Sequence, residues 1–170
     1  MNWFFITVGY SGLAPKAPGT AGSFVALILG VIILIFLGEQ TLFYASLLAM
    51  IAGVKMIDTY EAQSHSHDDK RIVIDELVGM WLALAIAPGI TIDPQTLLHV
   101  NNGLLIQIIM SFIFFRIYDI KKPSYIGRID RDVKGGLGVM GDDVLAGIAA
   151  GITSALLWYA GLEVASMLQI

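Results

Sequence analysis

Two pairs of adjacent acids, Asp75–Glu76 and Asp142–Asp143, stand at the heads of apolar runs in this 170-residue chain. The first lies in "RIVIDELVGMWLALA", the second in "GLGVMGDDVLAGIAAGI". Gly79 follows Asp75, and Gly147 follows Asp143, at the four-residue spacing that puts acid and glycine on one helical face. One acid in a first turn is ordinary compensation of the helix dipole. Four beside hydrocarbon are not, because unpaired charge near a membrane is costly and marks a site. Clustered carboxylates repel unless a cation lies among them, and oxygen donors without His or Cys favour magnesium, manganese or calcium over zinc. Asp75, Glu76, Asp142 and Asp143 are therefore the expected metal ligands. Magnesium is the expected ion if a substrate adds phosphate oxygens to the coordination sphere.

Between the pairs runs "FRIYDIKKPSYIGRIDRDVKGGLGVMGDD". Arg116 and Asp119 are three residues apart and share a helical face. Lys121, Lys122, Arg128, Arg131 and Lys134 follow, then Gly135, Gly136 and Gly138. Basic side chains beside a glycine-rich turn with open N–H groups make a phosphate receptor. A solvated basic loop accounts for the charges equally well, but not for a glycine turn that runs into Asp142. Upstream, "APGTAGS" sets Thr20 and Ser23 where a helix start binds anions. A plain N-cap is the simpler role for either. Two other patterns carry little. "HSHDDK" at 65–70 resembles a zinc-hydrolase HxHxD, but Lys70 stands where a histidine is needed, and His99 falls on the other side of the membrane. Asp130 and Asp132 form a DxD with no buried strand ahead of them.

The elements that position these groups are membrane helices. Apolar residues make up 56% of the chain and charged ones 14%, with a mean hydropathy of +0.76. Soluble domains have about 45–50% apolar and about 25% charged residues. The absence of cysteine excludes thiolate ligands, disulfides and a cysteine nucleophile. A net charge of −4 argues against nucleic acid. Five runs read as spans: Ala21–Leu37, Thr41–Ile57, Leu77–Ile92, Leu104–Ile120 and Val144–Gly161. Pro88 and Gly89 interrupt the third. If the runs alternate, all 10 Lys and Arg residues fall on or next to one side, together with all the acids except Glu39, Asp93 and Glu163. That asymmetry makes the basic side cytoplasmic. The N-terminus lacks the basic head of a cleavable signal, and Trp3, Phe4 and Phe5 suit either an interfacial segment or packing on the bundle. The expectation is one all-α domain over 1–170, a multi-pass bundle of about five hydrophobic helices with its site on the cytoplasmic side. Gly147 and Gly151 form a GxxxG step that allows close helix approach.

"APGTAGS", "RIVIDELVGMW", "FRIYDIKKP" and "DRDVKGGLGVMGDDVLAG" occur in an order that resembles the bacterial phosphatidylglycerophosphatase A family. Ser124 and Tyr125 stand where that family often has Trp-Pro. The resemblance implies a magnesium-dependent inner-membrane phosphatase that converts phosphatidylglycerophosphate to phosphatidylglycerol. It places motif acids at Asp75, Glu76, Asp119, Asp130, Asp142 and Asp143, and basic residues at Arg116, Lys122 and Arg131. Read together with the residue chemistry, it makes Arg116, Lys122 and Arg131 partners of the phosphate, with Lys134, Thr20 and Ser23 as further phosphate contacts. Asp119 or Asp130 then serves as an acid behind the ligands, a further ligand or a general base, and the nucleophile is water or an aspartate. The rival readings are a different lipid-headgroup phosphotransfer enzyme, against which no CDP-alcohol transferase motif is found, and a membrane cation transporter. Transporter acids lie near mid-membrane, whereas these gather at one rim. The oligomeric state is not legible in the sequence.

Overall fold

Each of the five apolar runs contributes a helix among the described residues. The computed structural model describes residues 2–64, 69–87, 104–123 and 125–168, and all the regular structure among them is helical. The α-helices are α1 (Trp3–Ile6), α2 (Pro18–Leu37), α3 (Glu39–Ser64), α4 (Ile74–Ile86), α5 (Leu104–Lys121), α6 (Tyr125–Asp132) and α7 (Gly136–Met167). A single 3₁₀ turn, Ser11–Leu13, precedes α2.

In α2 the small residues face inward and the large ones outward. Gly22, Ala26, Gly30 and Leu34 recur every fourth position and are buried, while Phe24, Ile28, Ile32 and Phe36 are exposed. A soluble helix would place its large side chains inside. Here lipid replaces water as the outer solvent, and a small-residue stripe lets a neighbouring backbone approach. The neighbour is α4, whose Val73 cap lies against Gly22 and whose Trp81 and Leu84 lie against Gly30. Trp81 Nε1 donates to the Ala26 carbonyl at 2.9 Å. Gly38 ends α2 at φ 82° and hands the chain directly to α3, as a left-handed glycine at a helix end permits.

Among the described residues, three helical stretches, Pro18–Leu37, Glu39–Ser64 and Gly136–Val164, are long and apolar enough to cross a bilayer. The other two expected runs correspond to α4 and α5. α4 has 13 residues, about 20 Å of helix against a ~30 Å hydrocarbon core, and the rest of that run lies outside the described residues. It is the central helix, buried at Val78, Met80, Ala83 and Leu84 against α2, α3, α5 and α7. α5 has 18 residues but carries Arg116, Asp119 and Lys121 in its last two turns.

Residues 121–143 read as a connecting loop in the sequence; in the structure they hold α6 and the first two turns of α7. The glycine run explains this. Gly135 takes φ 75°, a Cβ on Gly136 would collide with the Val54 carbonyl of α3, and Asp58 Oδ1 accepts from Gly136 N at 2.7 Å. The start of α7 is thus seated on α3 and capped by Asp58, so the Gly136 N–H serves the fold and not a phosphate.

The N-terminal segment packs on the bundle through Trp3. Trp3 packs edge-on against Tyr60, with ring centroids 5.6 Å apart, and carries the Arg71 guanidinium 5.0 Å above its ring. Phe4 and Phe5 remain exposed. Asp69 accepts from Tyr60 at 2.5 Å and from Arg71 at 2.6 Å, and its hydrogen bonds from Arg71 hold its carboxyl well below the usual carboxylate range. With Val73 N donating to Ile6 O at 2.9 Å, this knot fixes the strand of chain leading into α4.

Candidate active site

The two acidic pairs meet because two glycines let α4 and α7 touch. A Cβ on Gly147 would collide with the Gly79 carbonyl, and one on Gly79 would lie 2.6 Å from the Asp143 carbonyl and against the Phe115 ring. Gly151 extends the same contact against Ala83 and Ile86. One turn toward the basic end, Asp75 and Glu76 therefore face Asp142 and Asp143. Phe115, fully buried at this crossing, brings α5 in with Arg116 and Asp119 beside the acids.

These residues line a cavity of about 830 Å³. One carboxylate oxygen each from Asp75, Glu76 and Asp143 lies within 4.8 Å of the other two. Each like-charged pair at that separation costs roughly 3 kcal/mol at an effective dielectric near 20, so the group does not persist fully ionised without a counter-charge. Glu76 Oε2 is buried and has no hydrogen-bond partner. An orphaned carboxyl oxygen among three close carboxylates, Asp143 buried and Asp75 and Glu76 half-buried, suits a hard divalent cation, and the donor set contains no nitrogen or sulfur. The residues present thus fit such an ion. The fourth expected ligand, Asp142, is not in the three-carboxylate group: its Oδ2 is 2.6 Å from Lys122 Nζ.

Arg116 is held on three sides. It pairs with Asp119, donates to Ser23 Oγ at 3.0 Å and donates to Thr20 Oγ1 at 3.2 Å. Thr20 and Ser23 are therefore not plain N-caps, and neither is among the residues that line the cavity. The α2 N-cap is Ala17, which has no side chain to cap with, and the two hydroxyls orient the guanidinium instead. Gly19 makes room for the acids, since a Cβ there would strike Glu76 Oε1.

The cations of the cavity wall are Lys70, Arg116 and Lys122. Arg131 and Lys134, expected as phosphate partners, are exposed and do not line it. The side chain of Asp130, together with His65, His67 and His99, lies outside the described residues. Lys70 was not legible as a site residue, because only the fold of residues 69–73 over α4 carries it to the rim; the same holds for Asp58 at the foot of α7.

The comparison with known proteins decides the family. A family model described as phosphatidylglycerophosphatase A matches residues 4–158. The chain belongs to the phosphatidylglycerophosphatase A family. It is 34% identical over 160 residues, 94% of this chain and 83% of the relative, to the Escherichia coli K12 protein named phosphatidylglycerophosphatase A. It is 36% identical over 146 residues, 85% of this chain and 82% of the relative, to the Haemophilus influenzae protein of that name. A Bacteroides thetaiotaomicron protein provisionally named a phosphatidylinositol-3-phosphatase is 34% identical over 142 residues, 81% of each chain. No solved structure matches. Membership in the phosphatidylglycerophosphatase A family makes the chain an enzyme, a hydrolase of phosphoric monoesters.

Proposed function

We propose that this chain hydrolyses phosphatidylglycerophosphate to phosphatidylglycerol and inorganic phosphate, with a magnesium ion held by Asp75, Glu76 and Asp143. The observation that carries the reading is the meeting of three carboxylates, one with an orphaned oxygen, and three cations in a single cavity at the end of the bundle. When bound, the ion neutralises phosphoryl charge and lowers the pKa of a water. Arg116, already fixed by Asp119, Ser23 and Thr20, presents its fork to the equatorial oxygens without reorganising during reaction. Water adds to phosphorus, the phosphorus–ester oxygen bond breaks, and the lipid alcohol leaves with a proton. The acyl chains stay among the outward apolar side chains of the helices. By the positive-inside asymmetry the site faces the cytoplasm, across the inner membrane of a bacterium.

The test is phosphate release from phosphatidylglycerophosphate by the detergent-solubilised chain. Chelator-stripped protein is expected to be inactive and to recover on addition of magnesium; release that survives chelation overturns the reading. Phosphatidylinositol 3-phosphate as a competing substrate examines the second headgroup that the Bacteroides relative's name suggests. Arg116→Lys keeps the charge but loses the fork, and is expected to lower kcat by about 10²-fold, the scale of one preorganised transition-state donor. Steady-state kinetics at saturating magnesium checks it.

A further inference from the structure

The sequence groups Asp142 with the other three acids, but the structure pairs it with a cation. Its carboxylate meets Lys122 Nζ at 2.6 Å, with the Asp142 side chain 6% exposed and that of Lys122 33% exposed. The backbone at Lys122 is shaped for this contact. It adopts φ 42°, a left-handed conformation that is unfavourable for a non-glycine residue. Lys122 N donates to Tyr118 O at 2.8 Å, and a Cβ on Gly127 of α6 would sit 2.6 Å from the Lys122 carbonyl. A strained residue clamped between two helices at a cavity rim indicates that its side-chain direction matters. Charge balance agrees. Five carboxylates and three cations line the cavity. Once Asp119 is assigned to Arg116 and Asp142 to Lys122, the three carboxylates left are those that lie within 4.8 Å of one another.

We infer that Asp142 is a positioning residue, which holds the Lys122 ammonium at the cavity wall to receive phosphate oxygens, and is not a ligand of the divalent cation. The inference rests on the phosphatase reading above and divides its acids into two functions: three hold the cation, and two hold the basic groups.

The experiment uses the full chain in detergent and two readouts other than turnover. Manganese binding is followed by electron paramagnetic resonance, and inorganic phosphate binding by equilibrium dialysis of radiolabelled phosphate. Asp142→Asn is expected to leave manganese affinity within about threefold, while phosphate binding weakens by about tenfold or more, as for loss of a hydrogen bond between charged groups. Lys122→Met is expected to weaken phosphate binding equally, the double variant no further, and Asp142→Glu to recover part of the loss. Asp143→Asn serves as the reference that loses manganese. If Asp142→Asn loses manganese as Asp143→Asn does, or leaves phosphate binding unchanged, the inference is overturned. If Asp143→Asn itself retains manganese, the cation assignment fails instead, and the phosphate arm still decides the role of Asp142.

Discussion

Replacing Asp143 with asparagine is expected to abolish turnover and divalent-cation binding together, with a loss of about 10³-fold or more in kcat/KM. The magnitude follows from the several kcal/mol of phosphoryl charge stabilisation that a cation supplies, at about 1.4 kcal/mol per decade of rate. Asp143 is 3% exposed on α7, where it faces Asp75 and Glu76 of α4, so its carboxylate cannot be replaced by water without opening the crossing. The amide keeps the volume and one acceptor oxygen but removes the charge that balances the ion. It also removes one of three mutually repelling anions, so folding is expected to be preserved or improved. That combination separates a site residue from a structural one: activity collapses while the thermal midpoint in detergent stays level or rises. Glu76→Gln is expected to behave in the same way, and Glu163→Gln, an exposed position in the last turns of α7, to change nothing. Full activity in Asp143→Asn, or a loss accompanied by unfolding, contradicts the assignment.

The acids and their grouping were legible because chemistry is written in residue type. Paired carboxylates ahead of apolar runs are unusual enough to read directly, and the Asp–x₃–Gly spacing on both helices already placed them on the faces that meet. What the sequence could not assign was pairing. Asp142 and Asp143 look equivalent in one dimension, but adjacent residues on a helix point about 100° apart, so one faces α4 and the other reaches Lys122. Thr20 and Ser23 read as plain caps or as phosphate contacts because a helix start offers hydroxyls both roles; their bonds to Arg116 span more than 90 residues of sequence and arise only from packing. The central place of α4 is likewise a matter of packing. A central helix shielded by four others needs apolar residues without needing membrane thickness, so α4 carries the hydropathy of a span in 13 residues.

The same packing explains how charge is tolerated at the rim. The Gly136–Val164 stretch would be about 44 Å long against a ~30 Å hydrocarbon core. It is thus longer than a crossing needs, its first two turns carry Asp142 and Asp143, and α6 packs against this helix. Asp142 and Asp143 are buried within protein, which shields charge that lipid would penalise.

If the α4–α7 crossing sets the site, Gly147→Ala is expected to damage it without touching a polar group. The added Cβ would strike the Gly79 carbonyl, a backbone atom that cannot rotate away, so the helices must separate. Overpacking of this kind costs about 1–3 kcal/mol. The same change at an exposed helical position would stabilise by up to about 1 kcal/mol, since alanine is the better helix former. The sign of the stability change thus reports whether the backbones touch. The functional effect is expected to exceed the stability effect. The spacing of the Asp75–Glu76 and Asp143 carboxylates depends on this contact, and a misplacement of about 1 Å costs about 10²-fold in rate. Gly161→Ala on the same helix is the control, because nothing lies within 4 Å of a Cβ there. The decisive pattern is a manganese affinity that falls in Gly147→Ala, holds in Gly161→Ala, and falls further when a longer side chain replaces Gly147. An unchanged affinity across that series would mean that α4 and α7 hold their acids together by some contact other than the one between these two glycines.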